Sequence, residues 1–167
     1  MTAARSVMRQ VATAMTIAAA VAVAASMPLA QATFEDIAIN ATMRAVSDGQ
    51  WAKTNEIFHD EPTVSSTWTI ASTCSGAYDC VGHVTSDRGW SAEARYVSKL
   101  WFVTRTVPDW VRCDDGSTAP GKQIFKFYRD PNDPAMFRGW DSTVGPSGAC
   151  GINLPLAIEM PFTLSPV

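Results

Sequence analysis

The sequence predicts an all-β fold: an antiparallel meander of eight or nine short strands closing into a small barrel, with a two-layer β-sandwich as the alternative. Three observations predict it. Apolar and polar residues alternate with period two in one segment after another. Clusters of turn-forming residues separate those segments. A single assumed bond, Cys74–Cys80, sorts two neighbouring strands into an apolar and a polar face.

In chain order, residues 1–32 read as a signal peptide and residues 33–167 as one disulfide-stapled β domain. Arg5 and Arg9 precede the apolar run "VATAMTIAAAVAVAA", and Pro28 and the small-residue pattern Ala30-Gln31-Ala32 follow it. The run is shorter than the roughly 20 residues a bilayer-spanning helix needs. No stable membrane insertion is expected once the leader is cleaved. Two of the 13 basic residues leave with it, so 11 bases face 16 acids and the mature charge is −5. A chain of that sign has no electrostatic reason to seek nucleic acid.

The segment "TFEDIAINATMRAV" at 33–46 alternates Ile37, Ile39, Ala41, Met43 and Ala45, and reads as a strand rather than a helix. "SDGQ" at 47–50 is a turn. Gly49-Gln50-Trp51 matches the G-x-W pattern near the first strand of lipocalin barrels, but the last strand holds no arginine to pack on that tryptophan. The preferred reading is a hairpin after Asp48-Gly49 with Trp51 in the core. Pairing Cys74 with Cys80 across "SGAYD" makes partner numbers sum to 154. Ile70 then faces Val84, Trp68 faces Ser86, and Trp68, Ile70, Cys74, Gly82 and Val84 share one face. The opposite face takes Thr67, Thr69, Thr73, His83, Thr85 and Asp87, so a slip of one residue would mix the two.

Turns at "SDRG" (86–89), "DDGSTAPG" (114–121) and "DPNDP" (130–134) bound the later strands. In "WSAEARYV", Trp90, Ala92, Ala94 and Tyr96 oppose Ser91, Glu93 and Arg95. "KLWFVTRTV" is apolar on both faces at its start and reads as a strand covered on both sides. In "KQIFKFYR", Phe125 and Phe127 oppose Lys126, and in "AIEMPFTL", Phe162 and Leu164 share a face with Ile158 and Met160. Pro161 cannot donate to a ladder, so it is expected at an edge or bulge.

The other two cysteines, Cys113 and Cys150, would clip the "VRCDDGSTAPG" loop to the "GPSGACG" turn. An even cysteine number behind an export signal implies bridges and an oxidising compartment, hence a secreted or envelope location. No C-x-x-C spacing points to redox chemistry.

The stretches "SDGQWAKTNEIF", "TWTIASTCSGAYDC", "GHVTSDRGW", "VPDWVRCDDGSTAPG" and "GPSGACG" resemble a family of small exported proteins from mycobacteria and related actinobacteria. The resemblance spans most of residues 42–164 and implies an exported actinobacterial protein. It brings no activity, ligand or catalytic residue.

No catalytic constellation stands out, and the expectation is a non-enzymatic protein without cofactor or metal. Ser147 in "GPSGA" departs from the nucleophile-elbow pattern at Ala149, and this β domain is too small for an α/β-hydrolase sheet. His59 and His83 are the only histidines, too few for a zinc site without further ligands. "DPNDP" and "CDDG" lack the alternating acids of a calcium loop. Glu56, Glu93 and Glu159 are far apart in sequence, so a glycosidase pair depends on how the fold places them. Six tryptophans are the compositional oddity. Trp110 and Trp140 flank the clipped loops, which marks them as the expected ligand-binding residues. They point to a small apolar ligand in the barrel or a partner met by the loops, and the alternative is a structural or host-contact protein of the envelope without a ligand.

Overall fold

The computed structural model describes residues 36–167. The expected signal peptide and the first residues of the mature chain lie outside the described residues. Ten strands form one sheet: β1 (Ala41–Ser47), β2 (Lys53–Thr54), β3 (Ile57–Phe58), β4 (Val64–Gly76), β5 (Asp79–Ser86), β6 (Trp90–Val97), β7 (Leu100–Arg112), β8 (Thr118–Arg129), β9 (Phe137–Val144) and β10 (Ala157–Pro166). Eight of them, β1 and β4 to β10, close into an antiparallel barrel when β1 pairs with β10, from Met43↔Pro166 to Ser47↔Phe162. The barrel, not the sandwich, is the fold. Closure removes the long free edges that an open sheet of this size would expose.

β2 and β3 extend this meander. β2 continues the line of β1 and pairs with the start of β10, and β3 returns beside β2 toward β4. Asn55 and Glu56 join them with φ of 48° and 68°, the two left-handed residues of a tight primed hairpin turn. Between β1 and β2 the chain makes a 3₁₀ turn, Gly49–Trp51, capped by the Asp48 carboxylate accepting from the Gln50 N–H at 3.0 Å. The expected hairpin at Asp48-Gly49 is therefore a turn within one strand line, and Trp51 is 63% exposed instead of in the core. Gly49 is required there. A Cβ on it would sit 1.8 Å from the Glu61 carbonyl oxygen of the segment crossing behind it.

Pro161 lies opposite this interruption, and its carbonyl accepts from the Asp48 N–H. A strand residue aims N–H and C=O at the same neighbour, so the missing proline N–H falls where β1 has ended and β2 has not begun.

The register between β4 and β5 is the one predicted: Trp68↔Ser86, Ile70↔Val84 and Cys74↔Cys80. Both disulfides, Cys74–Cys80 and Cys113–Cys150, are formed. The alternation in β6, β8 and β10 also holds, with Ala92, Ala94, Phe125, Phe127, Phe162 and Leu164 buried. Three expectations need correction. The first strand covers 41–47 and not the residues before Ala41, because there side chains replace the backbone ladder to β4: the Ser72 hydroxyl accepts from the Ile39 N–H and donates to the Ile39 carbonyl, and the Asn40 side chain accepts from the Ser72 N–H. Residues 118–121 belong to β8 rather than to a turn. β7 is one-sided, since Phe102 on its outer face is only half-buried, between the Arg95 and Lys126 register positions.

The barrel axis is filled with rings. Trp68 lies at its centre, with centroids of Phe125, Phe162, Trp90 and Phe127 at 4.8, 5.2, 5.3 and 6.5 Å. This is the packed interior an eight-stranded barrel is just wide enough to hold.

Candidate functional site

The barrel has two unlike rims. The lower rim carries the short β4–β5, β6–β7 and β8–β9 connections, and the upper rim carries the β2–β3 hairpin, the long β7–β8 tip and the β9–β10 loop. Gly145 at the start of the β9–β10 loop packs against Val111 and Trp110, and Cys113–Cys150 ties the β7–β8 tip to that loop farther out, so the two segments form one surface. Between them and Asn55 runs a groove of about 510 Å³, with Val111, Ile152, Leu154 and Leu156 as apolar walls and Arg112, Asp114 and Asp115 at its border. Ile152 and Leu154 are exposed. Asn55 anchors the third side, since its N–H donates to the Ala157 carbonyl and its side-chain oxygen accepts from the Ala157 N–H.

Below the groove, inside the barrel, lies a polar network. Asp141 is 2% exposed and accepts from the Ser47 hydroxyl at 2.7 Å and from the Gln123 amide at 2.8 and 3.0 Å. The Gln123 oxygen in turn accepts from Arg105 Nε at 2.6 Å, and the guanidinium lies 4.5 Å over the Trp90 ring. Burial pushes the Asp141 carboxyl above its ordinary pKa, against the hydrogen bonds from Ser47 and Gln123 and the charge of Arg105. Burial likewise lowers the Arg105 pKa, and Asp141 opposes that shift.

The two expected ligand-binding tryptophans part company. Trp110 is at the upper rim, where its indole packs on Gly121 so closely that a Cβ there would lie 2.8 Å from the ring. It is half-buried and serves to seat the β7–β8 tip. Trp140 points outward from the middle of β9, across from Lys126 and Pro161, and does not flank the clipped loops. It faces a second, smaller cleft of about 270 Å³ on the outer wall, lined by Trp51, Lys53, Phe58, Trp140, Glu159 and Pro161. Sequence reasoning missed Trp51 and Phe58. The signal was Asp48, whose side chain favours a local cap as readily as a hairpin.

The remaining candidates do not assemble. His83 is exposed on the outer face of β5, and His59 is exposed beside Glu61 at 3.3 Å. The Ser147 hydroxyl donates to the Asn153 carbonyl at 2.7 Å within its own loop. Glu93 on β6 and Glu159 on β10 sit outside opposite walls of the barrel, too far around it to act on one bond. Among the described residues, no helix is long and apolar enough to cross a membrane.

No family model matches the chain, and no curated protein matches it in sequence. In structure it is similar to the monomer form of the PknI sensor domain of M. tuberculosis, with a TM-score of 0.55 and 13% identity over 77% of this chain and 87% of that one. At that identity the likeness shows a shared fold. The barrel is one that another chain uses as a sensor domain.

Proposed function

We propose that this chain is an exported, non-enzymatic recognition domain whose clipped upper rim binds an apolar segment of a partner protein. The observation that carries the reading is the groove walled by Val111, Ile152, Leu154 and Leu156, of which Ile152 and Leu154 are exposed on a loop that a disulfide holds in place. Exposed isoleucine and leucine on a braced loop favour association, and bracing lowers the ordering cost of binding. The filled interior also supports a surface role, since the volume that would enclose a small apolar ligand is taken by the protein's own rings. Two disulfides favour an extracytoplasmic location, and the fold shared with a sensor domain supports recognition over catalysis.

The test is native mass spectrometry and crosslinking on protein purified from its own culture medium, wild type beside Ile152→Asp/Leu154→Asp. Both sites are exposed, so the variant should fold unchanged. A co-purifying protein lost from the variant is the expected result. A wild type that carries no partner, or a partner the variant keeps, overturns the reading.

A further inference from the structure

The outer-wall cleft is separate from the clipped rim, and its chemistry differs. Four strands build it. Lys53 of β2 stands directly across from Glu159 of β10 and from Phe58 of β3. Pro161, two residues along β10, is opposite Trp140 of β9. Trp51 joins them from the capped 3₁₀ turn. Trp51, Phe58 and Trp140 are 63%, 68% and 40% exposed, a large aromatic surface to leave in water.

The charges around these rings narrow what they suit. The Lys53 ammonium lies 5.3 Å from the centre of the Phe58 ring, and Lys126 lies 5.3 Å from that of Trp140. One face of each of these two rings is thus engaged by the protein's own cation, and a cationic ligand would meet like charge there. Glu159 lines the cleft as well, accepting from the Ser142 hydroxyl at 3.1 Å, and would repel an anion. Lys53 and Glu159 offset each other across one strand pair, so the cleft between them is close to neutral while offering both donors and acceptors, and Lys126 adds a second cation at the Trp140 ring. A lipid chain would find nothing to enclose it, because the cleft is smaller than the roughly 300–1,000 Å³ of enclosing ligand sites. The chemistry that fits is a neutral, rigid ring with apolar C–H faces and a hydroxylated edge. We infer that Trp51, Phe58, Trp140, Lys53 and Glu159 form a binding site for a neutral glycan, its pyranose faces against the indoles and its hydroxyls on the Lys53–Glu159 pair.

The test is a glycan array holding neutral, anionic and cationic oligosaccharides, probed with the mature domain and followed by calorimetric titration of each retained sugar. Neutral oligosaccharides are expected to bind, with affinity falling at least tenfold in Trp51→Ala and in Trp140→Ala and less in Trp140→Phe, which keeps a ring. Tyr78→Ala, an exposed aromatic at the lower rim, should bind as wild type does. Thermal unfolding separates loss of the site from loss of the fold. Retention of charged sugars only, retention of none, or binding that survives Trp51→Ala/Trp140→Ala overturns the site. The clipped-rim variant Ile152→Asp/Leu154→Asp should keep glycan binding, so the two proposals fail independently.

Discussion

The lower half of the barrel interior is built mainly from rings and aliphatic side chains, whereas the upper half sets a hydrogen-bonded carboxylate, amide and guanidinium beside Trp90. Below, Trp101, Phe127, Phe137 and Leu164 bury apolar surface against one another under two-residue and short turns. Above, Ser47, Gln123, Asp141 and Thr143 occupy inward positions where the same strands could have placed aliphatic side chains. Apolar burial stabilises at about 25 cal/mol per Å², while a buried carboxylate at best recovers its desolvation through partners. The difference teaches that stability is concentrated at the end away from the long loops. The loop-bearing end takes its order from the Cys113–Cys150 bridge and from local hydrogen bonds.

The sharpest way to break this comparison is to hollow the lower half. Phe127 is fully buried, with Phe162 and Phe137 centroids at 5.7 and 5.9 Å. Phe127→Ala should cost about 3–5 kcal/mol in urea unfolding. A loss under about 1 kcal/mol would mean that the rings there are not the main source of stability.

The second perturbation goes to the upper half. In a chain-entropy estimate, the Cys113–Cys150 bridge is worth about 3.9 kcal/mol and the short Cys74–Cys80 bridge about 2.4 kcal/mol. Cys113→Ser/Cys150→Ser should therefore cost up to the larger figure. Amide exchange should rise in residues 107–121 and 145–156 and stay unchanged in the lower-rim ends of β8 and β9. Exchange rising equally at both rims would show that the bridge braces the whole barrel and not one end.

These two halves were unequally legible in the sequence. Where one face is apolar and the other polar, as in β4 and β5, period two and one disulfide set the register to the residue, because a slip would expose Trp68 and Ile70. In β9 the pattern inverts: Asp141 and Thr143 point inward while Trp140 and Val144 point out, so hydrophobicity assigns the wrong face. The primed turns were also hidden. Asn55-Glu56 and Ser98-Lys99 take positive φ at both positions without a glycine to announce it. The clipped groove could be anticipated from Cys113 and Cys150, but the outer cleft joins four strands and depends on Trp51 leaving the core, which only tertiary pairing decides.

The smallest expected effect is the most specific to the upper half. Burial raises the folded-state pKa of Asp141, so the folded protein holds that proton more tightly than the unfolded chain does. The resulting stabilisation is complete below the ordinary carboxylate pKa and is lost as pH rises through the raised value. Asp141→Asn removes this titration while keeping the geometry, since its oxygen can accept from Gln123 and its amide can donate to Ser47. Unfolding free energies of the two proteins should coincide in acid, and the variant should lead by about 1 kcal/mol at neutral pH. A variant that falls below wild type as pH rises would show that the Asp141 charge, balanced by Arg105, stabilises the barrel. In that case the upper half would be a source of stability, and the contrast between the two halves would fail.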